Sequence, residues 1–99
     1  MILHIATKLD WEKAEERSKY LPHDFVRSGF IHCSDPDQLQ GVAEHLFKGK
    51  KDLLLLEIDE KIVEAEIKYE PADDGEAYPH IYGALNTNAV TKVTEFYLA

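Results

Sequence analysis

Ninety-nine residues, 44% of them hydrophobic, provide for one domain with a single core, because separate cores need about 100 residues each. One cysteine, Cys33, excludes an internal disulfide and a cysteine-rich zinc site. The net charge of −8 and the presence of only two arginines, Arg17 and Arg27, argue against tight, non-specific nucleic-acid binding.

The longest apolar run, Leu53 to Leu56, is too short to span a bilayer, and Met1-Ile2-Leu3-His4 has neither a basic leader nor a cleavage site. The expectation is a soluble, cytoplasmic monomer. The charge is local: Asp52 to Glu76 holds ten acidic residues and two lysines, while the remainder balances at nine of each sign. One edge of the fold is therefore acidic, as a solvated face would be.

In chain order, Met1 to Ala6 is an apolar run suited to a strand. Asp10 then stands where it can cap a helix whose Trp11, Ala14 and Ser18 share a stripe. Leu21-Pro22-His23-Asp24 breaks that pattern and opens a loop to Gly29, because the residue before a proline avoids helical geometry. Phe30 to Cys33 reads as a strand. Ser34 or Asp35 caps the next helix, with Pro36 in its first turn and Gln38 three residues after Asp35. Leu39, Val42, Ala43, Leu46 and Phe47 recur at helical spacing and predict its buried face, ending near Lys48 with Gly49 as C-cap.

Asp52 to Asp59 has the length and composition of a central strand covered on both faces, and Asp59 to Val63 of one helical turn. Ala65 to Glu70 alternates in steps of two, as a half-exposed strand does, and Pro71 ends it. A polar loop to Gly75, an extended piece Tyr78 to Tyr82, a turn over Gly83 to Ala89 and a last strand Val90 to Tyr97 follow. Helices early and strands late predict a single α+β domain over residues 1–99, a small mixed, split β-sheet with two main helices.

Three of five histidines, His4, His32 and His80, fall in or beside predicted strands. Strand alternation puts Phe30, His32 and Ser34 on one face, Tyr78, His80 and Tyr82 on one face, and His4 with Ile2 and Ala6. Imidazole serves as acid, base or hydrogen-bond anchor near neutral pH, and neighbouring Ser and Tyr hydroxyls add donors for a polar ligand. The expectation is one cleft holding His4, His32, Ser34, His80 and Tyr82, with Glu70 at the lip of the polar loop. Each histidine also fits a structural role in a strand, bonded to backbone. The chain has no His-Glu-x-x-His, paired His-x-His or glycine-rich phosphate loop, so no metal site is expected and Walker-type and Rossmann-type nucleotide binding drop out. Cys33 points away from His32 and reads as a buried structural thiol.

His4-Ile5-Ala6-Thr7 with Trp11, Gly29-Phe30-Ile31-His32-Cys33-Ser34 with Gln38, Tyr69-Glu70-Pro71 and Pro79-His80-Ile81-Tyr82-Gly83 together resemble the signature of the domain of unknown function 952 family, over nearly the whole chain. More distantly, His4 with Thr7 and His32 with Ser34 are similar to the strand motifs of ADP-ribosyltransferase-like folds, especially RNA 2′-phosphotransferases. That resemblance implies an ADP-ribosyltransferase-like fold. It implies catalytic roles for His4, His32, Ser34 and Glu70, and ligand contacts from Thr7, Trp11, Phe30, His80 and Tyr82. NAD is the cofactor it suggests, and a small polar or nucleotide-like molecule the ligand. The chain departs from those enzymes in having two arginines, neither in the matching motifs, and in spacing His4-x-x-Thr7 rather than His-x-Thr. Two other readings stay open: a non-catalytic interaction module that presents the acidic face, and a metal-assisted hydrolase built on the histidines.

Overall fold

The computed structural model describes residues 1–98. Its elements are strand β1 (Ile2–Thr7), helix α1 (Lys8–Arg17), β2 (Lys19–Tyr20), a four-residue helix α2 (Phe25–Ser28), β3 (Ile31–His32), helix α3 (Leu39–Leu46), β4 (Leu53–Ile58), β5 (Glu66–Pro71), β6 (Ala77–Tyr82), β7 (Leu85–Asn86) and β8 (Val90–Phe96). They form an α+β domain with three small sheets, in the orders β1-β4-β8, β2-β7 and β3-β6-β5. The expected mixed sheet is corrected, since every strand pairing among the described residues is antiparallel. A bridge between Leu3 and Ser34, with two backbone hydrogen bonds of 2.8 Å, joins the first sheet to the third.

Strand β4 is central as its sequence predicts. Leu54, Leu56 and Ile58 face one hydrophobic cluster with Ile2, Ala6, Trp11, Tyr20 and Ile81, whereas Leu53 and Leu55 face a second with Ile5 and Ala43. Uninterrupted leucines are what a strand needs when both its faces are covered. Helix α3 belongs to the second cluster, burying Ala43 and packing Leu39 and Phe47. Leu46, expected in that buried face, is 51% exposed at the last residue of the helix.

Other local expectations change as well. Thr7, not Asp10, caps α1: its Oγ1 accepts from the Asp10 backbone N–H at 3.1 Å, so the helix begins at once from the strand. The segment read as a loop from Leu21 to Gly29 contains α2. The Asp35 signal gives a 3-10 turn, Pro36–Gln38, before α3 begins, and Gln38 Oε1 accepts from the Asp35 backbone N–H at 2.9 Å as in a capping box.

Gly83 is required by its backbone. Its φ of +154° is one that other residues rarely adopt, and an added Cβ would stand 3.0 Å from that of Ala65.

Candidate functional site

Strand β1 carries His4 on the face of Ile2 and Ala6, against Tyr20 of β2. The ring is buried, and both nitrogens are used: Nδ1 lies against the His32 carbonyl oxygen, and Nε2 is 2.7 Å from the Tyr20 hydroxyl. A carbonyl only accepts, so Nδ1 carries the proton and Nε2 accepts from the Tyr20 O–H. Burial disfavours the charged ring and lowers its pKa to about 4, despite the opposing hydrogen bond to the His32 carbonyl. Burial raises the Tyr20 hydroxyl, keeping it a donor. His4 is thus a neutral imidazole that ties three strands together.

Beside this lock lies a cleft of about 370 Å³ along the free edge of β1. His4, Thr7, His32 and Ser34 line it, Val42, Leu46 and Phe47 of the α3 region give it an apolar wall, and Arg27 and Lys50 also line it. Neither cation has an ion-pair partner among the described residues. Because Leu3 bonds Ser34 through both its N–H and its C=O, alternation turns the Ile5 N–H and C=O to the same edge, where the bridge has ended and the cleft begins. The volume is within the range of small-molecule sites, and the lining offers an apolar wall, cations and a paired backbone donor and acceptor.

Glu70, His80 and Tyr82 meet elsewhere, on the outward face of the third sheet. Glu70 Oε1 accepts from His80 Nδ1 at 2.8 Å and from the Tyr82 hydroxyl. The Tyr82 bond first, and then the His80 bond, hold the Glu70 carboxyl below its ordinary pKa. Phe30 stacks on His80 at 3.9 Å between ring centroids, and also touches the rings of His32 and Tyr82.

His32 and His80 are directly opposed in the β3–β6 register, with ring centroids 5.7 Å apart. Burial, and then the neighbouring His80, lower the His32 pKa, and its Nε2 lies 3.3 Å from Ser28 Oγ. The one cleft expected to hold His4, His32, Ser34, His80 and Tyr82 is therefore two groups that share His32: a cleft with His4, Thr7 and Ser34, and a cluster with Phe30, Glu70, His80 and Tyr82. Trp11 lies in the core against Tyr20 and does not line the cleft. Cys33 is buried, and that burial raises its pKa, as an inert thiol requires. Among the described residues no three His, Cys, Asp or Glu side chains gather as a metal would need.

The sequence reading missed a second pair in the cleft. Asp10, freed from capping and 7% exposed, accepts from the backbone N–H of His23 at 3.2 Å and from its Nδ1 at 2.7 Å. Burial opposes ionisation of Asp10, but the His23 bonds outweigh it and leave the carboxyl below its usual range. The two lie thirteen positions apart, with the rest of α1 and strand β2 between them, so no local sequence pattern points to the pair.

A family model described as a protein of unknown function, DUF952, matches residues 5–93. The chain belongs to that family. The match takes in all the cleft and cluster residues named above except His4. Protein CC0527 from Caulobacter crescentus is similar in fold and sequence. Its crystal structure superposes with a TM-score of 0.90 at 27% identity, covering 99% of this chain and 87% of that one. Its solution NMR structure gives 0.83 at the same identity, with 99% and 85% covered. No curated protein matches. The DUF952 fold thus has experimental counterparts, and helices long and apolar enough to cross a membrane are absent from the described residues.

Proposed function

We propose that the β1-edge cleft binds a small, polar, nucleotide-like ligand, and that the domain is a divergent ADP-ribosyltransferase-like protein whose donor is NAD. What carries the reading is the make-up of the cleft: an apolar wall of Val42, Leu46 and Phe47, two cations without ion-pair partners, and the free N–H and C=O of Ile5. An aromatic ring fits the wall, phosphate charge suits Arg27 and Lys50, and a carboxamide presents the donor and acceptor that complement a strand edge. In this reading His4 fixes the cleft lining, His32 contacts the ligand, Thr7 and Ser34 add hydroxyls, and Phe30, His80, Tyr82 and Glu70 hold the His32 ring in place. Trp11 supports that lining from the core side through Tyr20. The domain acts in the cytoplasm, as a monomer, and gel filtration of the purified chain checks the monomeric state.

The test is a thermal-shift and amide-NMR titration with NAD, ADP-ribose, ADP and inorganic phosphate. NAD should raise the melting temperature and move the Ile5, Arg27, His32 and Lys50 resonances, because a ligand that binds only the native state stabilises it. His32→Ala should stay folded to within about 1 kcal/mol, since the residue is only partly covered, by Phe30 and His80, and lose the ligand shift. A mutant weakened by about 2 kcal/mol that still binds NAD unchanged would return His32 to a structural role.

A further inference from the structure

We infer that His23, oriented by the buried carboxylate of Asp10, is the proton acceptor of the cleft; this rests on the NAD reading above. The pair has an asymmetry that a structural tie does not need. Asp10 is 7% exposed, whereas the His23 ring is 70% exposed. The carboxylate takes both the backbone N–H and the Nδ1 proton of His23, fixing the ring by two bonds. Nδ1 is thereby the protonated nitrogen, and Nε2 keeps a lone pair with no partner among the described residues. Both residues line the cleft with Arg27, Lys50 and His32. An imidazole oriented through one nitrogen, with the other unpartnered, on a residue that lines a pocket is the arrangement that general base catalysis uses.

His32 is a poorer candidate. Its ring is packed by Phe30 and opposed by His80, and its Nε2 faces the Ser28 hydroxyl. His4 has no free nitrogen. The charged and titratable groups that line the cleft with His23 are Asp10 of α1, Asp24, Arg27 of α2, Lys50 after α3, and His4, Tyr20, His32 and Cys33.

Nε2 of His23 accepts the proton of a water or alcohol as that oxygen bonds to the anomeric carbon next to the nicotinamide ring. The carbon–nitrogen bond breaks and its electron pair leaves on the ring nitrogen, so nicotinamide departs neutral and the proton stays on His23. Asp10 is a positioning residue that stabilises the resulting imidazolium.

The experiment uses the full chain with NAD, following the His23 ring resonances by NMR and nicotinamide release by chromatography. NAD should shift the ring resonances. His23→Ala should lower kcat for nicotinamide release by about 10²–10⁴-fold with KM nearly unchanged, the usual yield of a positioned base. Added imidazole should restore part of that rate, which a purely structural histidine would not allow. His23→Gln, which keeps the backbone bond to Asp10, serves if the alanine variant fails to fold. NAD binding with release unaffected by either variant overturns the inference and leaves the ligand reading standing. NAD binding without any nicotinamide release by the wild type does the same. No cleft resonance moving with NAD overturns both.

Discussion

Acid should weaken this domain through His4, and the size of the effect follows from its surroundings. In the unfolded chain His4 titrates near its ordinary 6.5, whereas burial holds it at about 4 in the folded state. Between those values the unfolded state binds more protons, so stability is complete above pH 6.5 and falls as the pH drops toward 4. A displacement of about 2.5 units at about 1.4 kcal/mol each costs about 3 kcal/mol over that interval. His4→Asn removes the titration while its amide can still donate to the His32 carbonyl. It leaves the buried Tyr20 hydroxyl without its acceptor, a loss of about 1–3 kcal/mol at pH 7. Urea denaturation of both proteins at half-unit steps from pH 7 to pH 4 should show wild type ahead at neutral pH and the gap closing on acidification. Parallel curves, or a His4 ring that titrates by NMR near 6.5 in the folded state, would refute the buried neutral imidazole.

Leu46→Ala should change unfolding free energy by less than about 0.5 kcal/mol, because half the side chain is already in water, whereas Leu56→Ala at the sheet centre should cost about 2–5 kcal/mol; paired urea curves decide it. Thr7→Ala removes the α1 cap and should cost about 1 kcal/mol, recovered in large part by Thr7→Ser. Gly83→Ala should destabilise by more than about 1 kcal/mol, through both its backbone angle and the contact with Ala65, while Gly49→Ala meets nothing within 4 Å and carries only the backbone cost. A calorimetric melting temperature for each glycine variant gives that ordering directly.

The parts of the fold legible in the sequence are those whose pattern is set by burial along one element. The leucines of β4, the alternation of Ala65 to Glu70 and the Asp35-Pro36-Gln38 turn carry their own signals. β2 and β7 do not: two residues each, they are strands only because Lys19 meets Asn86 and Tyr20 meets Leu85 across 67 and 65 residues of chain. The site follows the same division. Alternation put Phe30 with His32 and His80 with Tyr82, and the β3–β6 register joins these pairs on one face. That His4 turns to Tyr20 instead depends on the separate β2-β7 sheet, which no local pattern encodes. The expectation for Asp10 fails for a different reason. A helix can follow a strand without a loop when the last strand residue is itself a cap, and Thr7 takes that place three residues early.

The register of β1 bears on how the chain reaches its native state. Ile2 pairs with Ile58 and Thr7 with Leu53, so the contacts of the first strand close loops of 56 to 46 residues. The opposite edge of β4 waits for residues 90 to 96. On a growing polypeptide the segment Ile2-Leu3-His4-Ile5 has no partner strand until residues 53–58 have been made, and the three-stranded sheet cannot close before residues 90–96 follow. Long-range antiparallel pairing of this kind slows folding and leaves apolar strand edges open to other molecules in the interval. During that interval the apolar β1 segment stands open to a chaperone.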